Sequence, residues 1–232
     1  MITLTKANGG VFNSIKWLIA AMPAKSKRGS AKDMHYNMDL NYIKRVTLGN
    51  EIFYMASDGR RLHAVNVEML GDLLMADYYS VVTCTAQAIT LADPGNSTDI
   101  HWPPMDSGLF DHHCYLTTAE ADSHLTVEHL IYWLNRGDLA EGINRTTWSH
   151  SMIETALGAV AGDWNLGWNR GQRSEGNKAL LLVGRYGNIT RAHMALIMPI
   201  ILPGTLPIRT IGHMHGDAIA YIEGELNGCR TV

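Results

Sequence analysis

The sequence predicts an α+β fold in which antiparallel sheet outnumbers helix. Strand-like runs are more numerous than helical ones, short turn signals join them, and a helix followed by antiparallel strands occurs in each half of the chain. The chain has 232 residues, of which 46% are hydrophobic and 18% charged. That composition supports a full core and argues against disorder. The length fits one large domain or two of ordinary size.

Residues 11–22 form the clearest helix. Val11, Phe12, Ile15, Leu18, Ile19 and Met22 share one helical face, Asn13 and Lys16 the other, and Pro23 stops the run. Residues 24–33 make a basic loop of small residues with Lys25, Lys27, Arg28 and Lys32. Strands are expected at 45–48, 52–56, 61–67, 78–84 and 88–91. Asp93-Pro94-Gly95-Asn96 signals a turn. Trp102-Pro103-Pro104-Met105 reads as a connector, because neighbouring prolines lack the amide a sheet ladder needs.

In the second half, residues 127–134 predict a short helix. Residues 148–161 predict another, with Met152, Ile153, Ala156, Leu157 and Val160 on one face and Gly162 as its stop. Residues 164–178, rich in Gly, Asn and Arg, read as an exposed excursion. Strands at 179–183 and 189–198 flank a turn at 185–188. Pro199, Pro203 and Pro207 interrupt the chain beyond them, and 218–222 is a last strand.

The stretch ASDGRRLHAV at 56–65 reads as a tight hairpin. Asp58-Gly59 supplies the positive-φ positions of a two-residue turn. The turn does not explain why Arg60, Arg61 and Leu62 come immediately after it. They are either solvated edge residues or one wall of a binding site.

A formal net charge of −3 excludes a uniformly basic nucleic-acid binder but leaves room for a basic face on an acidic body. No apolar run approaches the roughly 18 residues of a membrane span. Met1–Lys6 has no signal-peptide core. The three cysteines Cys84, Cys114 and Cys229 are odd in number and widely spaced, which gives neither a disulfide framework nor a zinc motif. The reading is a reduced, cytoplasmic protein. Eleven histidines are densest at His112-His113-Cys114 and His213-Met214-His215, without helical ligand spacing. They read as surface and loop histidines, with no metal and no cofactor. Asp58 reads as a turn aspartate. No nucleophile, base and oxyanion constellation is visible, and no phosphate-binding loop. The expectation is a protein that is not an enzyme.

SDGRRL at Ser57–Leu62 resembles the TDG-x-RL signature of the bacterial sliding clamps, the β subunit of DNA polymerase III. Ala195-Leu196-Ile197-Met198-Pro199-Ile200 resembles the family's terminal Met-Pro-hydrophobic strand. Helix 11–22 and the basic loop stand where the clamp's middle domain has them, and the Trp-Pro-Pro-Met connector stands between domains. The likeness covers about 11–202 by pattern and the two short motifs by close residue match. There are departures. The segment from Leu62 to Trp102 is shorter than in a full clamp domain, Ile201 replaces a basic residue, the chain continues past Leu202, and a third domain is missing.

The resemblance implies a DNA-clamp fold: two α+β domains, 1–105 and 106–232, each an antiparallel sheet with helices on one face, and a C-terminal extension at 203–232. It implies a polymerase processivity factor, phage-encoded in a bacterial host cell, closing a ring around duplex DNA without sequence preference. Such rings use six domains, so two per chain imply a homotrimer. DNA polymerase and other partners would insert peptides into an apolar cleft of Ser57, Gly59, Arg60, Arg61, Leu62, Leu196, Met198, Pro199, Ile200 and Leu202. Lys16, Lys25, Lys27, Arg28 and Lys32 would face DNA. The alternative is a clamp-fold interaction adaptor that does not encircle DNA.

Overall fold

A computed structural model of the chain describes residues 1–23, 39–95, 100–102, 115–117, 140–141, 147–158, 163–169 and 179–198. The strands are β1 (Ile2–Thr5), β2 (Tyr42–Leu48), β3 (Glu51–Ser57), β4 (Arg61–Asn66), β5 (Tyr78–Cys84), β6 (Ala88–Ala92), β7 (Tyr115–Thr117), β8 (Ala140–Glu141), β9 (Thr147–Trp148), β10 (Asp163–Asn169), β11 (Leu180–Tyr186) and β12 (Ile189–Ile197). The α-helices among these residues are α1 (Gly9–Ala20) and α2 (His150–Gly158). Ten strands form one sheet in the order β1-β6-β5-β2-β3-β4-β12-β11-β10-β7, and β8 and β9 form a separate pair. The ladders are antiparallel, so the α+β expectation holds.

The sheet has a seam. α1 leads into the meander β2-β3-β4, and α2 leads into the meander β10-β11-β12. The last strands of the two meanders, β4 and β12, pair with each other: Leu62 stands opposite Leu196 and Val65 opposite His193. The hairpins are tight for local reasons. Leu48 pairs with Glu51 across Gly49-Asn50, and Gly49 takes φ 62, which a side chain would resist.

Both helices cover one face of the sheet. Phe12, Ile15, Leu18 and Ile19 of α1, with Ile153 and Ala156 of α2, pack in one cluster on Tyr54, Ala56, Val65, Ala195 and Ile197. Alternate residues of the same strands point the other way. Phe53, Met55, Leu62, Ala64, Met194 and Leu196 form a second cluster with Trp102. Burial on both faces explains why β3, β4, β11 and β12 read as near-continuous apolar runs. Each such side chain contributes about 1.5–3 kcal/mol when fully buried. Across the seam, Arg191 of β12 pairs with Glu51 at the start of β3 and lies over the Phe53 ring at 5.7 Å.

The expected boundaries need small shifts and one correction. α1 starts at Gly9, because Gly9 and Gly10 give no apolar signal. It ends at Ala20, where Ala21 and Met22 turn back onto Leu18 and Ile19 carbonyls before Pro23. β1 was not anticipated; four residues are too few for a periodicity. The expected excursion at 164–178 is corrected at its start: 163–169 is strand β10, paired with β11. Trp164, Leu166 and Trp168 alternate with Asn165, Gly167 and Asn169, a period of two that the Gly and Asn content masked. Trp102 of the expected connector is buried, and its indole N–H donates to the Tyr42 carbonyl at 3.2 Å. Pro103–Met105 and the elements expected at 127–134 and 218–222 lie outside the described residues.

Gly184 is required by its neighbour. It is the direct cross-strand partner of Trp164, and a β-carbon there would meet the indole ring at 3.2–3.3 Å. Gly184→Val is expected to destabilise the protein by about 1–3 kcal/mol, the usual range for overpacking, although valine is otherwise the better strand former. Urea unfolding monitored by circular dichroism checks this; a neutral or stabilising change would mean that the ring moves aside freely.

Candidate functional site

The SDGRRL hairpin holds itself together. Asp58 Oδ1 accepts the amides of Arg60 and Arg61 at 2.9 and 3.0 Å, and its Oδ2 pairs with Arg61 Nε at 3.1 Å. Ser57 Oγ donates to the Arg61 carbonyl at 2.8 Å and accepts the Gly59 amide at 3.0 Å. The Asp58 amide closes the turn on the Arg61 carbonyl, so its central residues are Gly59 and Arg60, with Gly59 at φ 84. The expected turn is present, one residue later. Asp58 acts through its carboxylate, the Asx-type capping that favours Asp at turns. Ser57 and Arg61 are thus occupied within the hairpin. Gly59 and Arg60 remain exposed.

The two motifs meet at the seam. The register puts Leu62 opposite Leu196 and Arg61 opposite Ile197, and the Met198 amide donates to the Arg60 carbonyl at 2.8 Å. Leu62 and Leu196 point to the face opposite α1 and α2, where both are buried, beside Ala64, Leu181 and Met194. Met198, at the end of β12, is 42% exposed. At this end of the seam an exposed thioether and the exposed Arg60 thus stand beside two buried leucines. Pro199, Ile200 and Leu202 lie outside the described residues.

A second, buried polar group lies on the helix side of the same seam, and sequence reasoning missed it. His63 and His193 are buried, against the expectation of surface and loop histidines. Their strands are covered by α1, whose Trp17 ring stacks on His63 at 4.0 Å and meets His193 edge-on at 5.3 Å. His63 Nδ1 is 2.8 Å from the Trp17 carbonyl, a contact that requires Nδ1 to carry the proton and donate. Among the described residues its Nε2 has no hydrogen-bond partner. His193 Nε2 lies 3.1 Å from Ser14 Oγ. Burial pushes the His63 pKa down to about 3 and that of His193 to about 4, so both rings are neutral at pH 7. The signal was a histidine inside an apolar strand run, as in Leu62-His63-Ala64-Val65.

Among solved structures, DNA polymerase sliding clamps are similar to this chain. The chain resembles the bacterial clamps. Against the clamp of Bacillus subtilis the TM-score is 0.45 at 10% identity, covering 87% of this chain and 64% of that one. The Pseudomonas aeruginosa clamp gives 0.45 at 12%, covering 87% and 66%. A putative DNA polymerase III β subunit from Eubacterium rectale gives 0.45 at 10%, covering 88% and 66%. This chain therefore spans just under two thirds of each clamp's length. No family model and no curated protein sequence matches it.

Of the residues expected to face DNA, Lys16 is described. It is exposed on the polar face of α1 with Asn13. The exposed residues of α2 include Glu154 and no Lys or Arg. Lys25, Lys27, Arg28 and Lys32 lie outside the described residues. No described helix is long and apolar enough to cross a membrane.

Proposed function

We propose that this chain is a sliding-clamp-type processivity factor, not an enzyme. It would close a homotrimeric ring around duplex DNA from two clamp domains per chain, 1–105 and 106–232, and bind partner peptides at the seam. The observation that carries this reading is the pairing of SDGRRL with ALIM, motifs far apart in sequence whose Leu62 and Leu196 stand opposite one another. A ring acts by topology: it slides because its contacts go to phosphates and carry no base register. Lys16 and the basic residues Lys25, Lys27, Arg28 and Lys32 supply those contacts. Leu62, Leu196 and Met198, with Pro199, Ile200 and Leu202, receive apolar anchors, and Met198 adapts to different ones.

Two measurements test the reading. Analytical ultracentrifugation is expected to give a trimer mass; a stable monomer or dimer removes the ring. Fluorescence titration with a peptide of Gln-x-x-Leu-x-Phe type tests the cleft. Met198→Ala is expected to weaken binding by about 1–3 kcal/mol, the range for truncating an interface anchor, and Arg60→Ala by about 0–1 kcal/mol. Leu62→Ala should weaken binding too, but it also opens the buried core, so its stability is measured alongside. If the wild type binds and Met198→Ala binds equally well with its fold intact, the cleft is not here.

A further inference from the structure

Opposite the SDGRRL end of the seam, a cavity of about 390 Å³ opens between the two halves. The first half contributes α1 and the 3-10 turn Val67–Met69; the second contributes the β11–β12 hairpin. The volume lies within the roughly 300–1,000 Å³ of ordinary ligand pockets. Val11, Met69 and Ile189 give it apolar walls, while the exposed Tyr186 and Glu68 stand at its mouth. Its deep end is the Ser14–His193 pair, buried and hydrogen-bonded, so that end is polar but uncharged.

Glu68 carries the single formal charge among the described residues that line the cavity. Among the described residues nothing pairs with its carboxylate; its hydrogen bond uses the backbone amide, donated to Asn66 Oδ1. An anionic ligand would meet this charge and, among the described lining residues, no lysine or arginine. A cation on an apolar stem meets the reverse situation. We propose that the seam cavity takes a guanidinium on an aliphatic stem, the chemistry of an arginine side chain. The stem lies along Val11, Met69 and Ile189. The planar head stacks on Tyr186 and offers Glu68 two parallel N–H donors, a geometry an ammonium cannot match. This site is separate from the leucine-lined cleft, and neither proposal depends on the other.

The test is a titration of the full chain with N-acetyl-argininamide, followed through the methyl NMR signals of Met69 and Ile189. Saturable shifts with a Kd of about millimolar order are expected, as suits one small ligand. Glu68→Gln, an exposed and isosteric change, should weaken binding about threefold to fivefold, the equivalent of one partly exposed ion pair. N-acetyl-citrullinamide, which keeps the shape and lacks the charge, should not saturate. Agmatine as a second probe separates the sources. Equal affinity points to a free small guanidine; weaker binding points to an arginine presented on a peptide backbone. The proposal fails if argininamide moves neither methyl, if citrullinamide binds as well, or if Glu68→Gln leaves affinity unchanged. In that last case the carboxylate serves only to complement the nearby N-terminus of α1, and the variant would show a loss of stability alone.

Discussion

Trp17→Ala is expected to destabilise the protein by about 3–5 kcal/mol, the range for truncating a large buried aromatic residue. Trp17 is 1% exposed and central to the join between the two halves. It stacks on His63 of β4, meets His193 of β12 edge-on, and lies 6.1 Å from the Trp164 ring. Its Nε1–H donates to the Ala156 carbonyl at 3.0 Å, tying α1 to α2. That carbonyl lies in the last turn of α2, where helix carbonyls have no partner within the helix. Alanine removes the packing and leaves the carbonyl unpaired. Trp17→Phe keeps most of the volume and a ring against His63 but loses the donor, and should cost roughly 1–2 kcal/mol. Chemical denaturation of both variants decides the matter. A cost under about 1 kcal/mol for alanine would show that the seam is not packed around this ring.

Acid is expected to weaken the fold from just below neutral pH. The pKa values of His63 and His193 are about 3 and 4 in the folded chain, against 6.5 for an ordinary histidine. Between those values and 6.5 the unfolded chain binds more protons than the folded one, so stability falls as pH falls. The contribution is complete above pH 6.5 and is lost progressively below it. Each histidine then loses about 1.4 kcal/mol per pH unit until its folded pKa is reached. From pH 7.5 to pH 5 the two together should cost up to about 4 kcal/mol, a large share of an ordinary domain's 5–15 kcal/mol. Urea midpoints at pH 7.5, 6 and 5 measure the slope, and His63→Phe should flatten it by about half. A midpoint constant across that range would mean that the rings are already solvated.

Much of the first half was legible because its signals are local. β5 was expected at Tyr78–Cys84 and lies there. Asp-Gly placed the β3–β4 hairpin, and the apolar stripe of Phe12, Ile15, Leu18 and Ile19 placed α1. In the second half β11 and β12 were found for the same reason, a run of apolar residues on each side of a turn. β10 was missed because Gly167 and the asparagines dilute the apolar content, although its alternation was there to count. Of the candidate cleft, the sequence named residues but not the contacts they make. Arg61 was expected to line the cleft together with Arg60; its guanidinium closes on Asp58, and of the two arginines Arg60 is the exposed one.

By itself the sequence determined where chain segments turn, which are helical, and which carry apolar residues on one face or two. Those are properties of neighbours within a few positions: rotamer freedom, the missing amide of proline, the positive φ of glycine. Only the tertiary structure decided that β4 pairs with β12, that His63 and His193 turn inward onto Trp17 while Leu62 and Leu196 turn to the other face, and that a cavity remains where the halves meet. A strand's pattern is compatible with many partners and with either register. One partner and one register are selected because they alone bury both apolar faces of the seam together, and a slip by one residue would send each histidine to the opposite side.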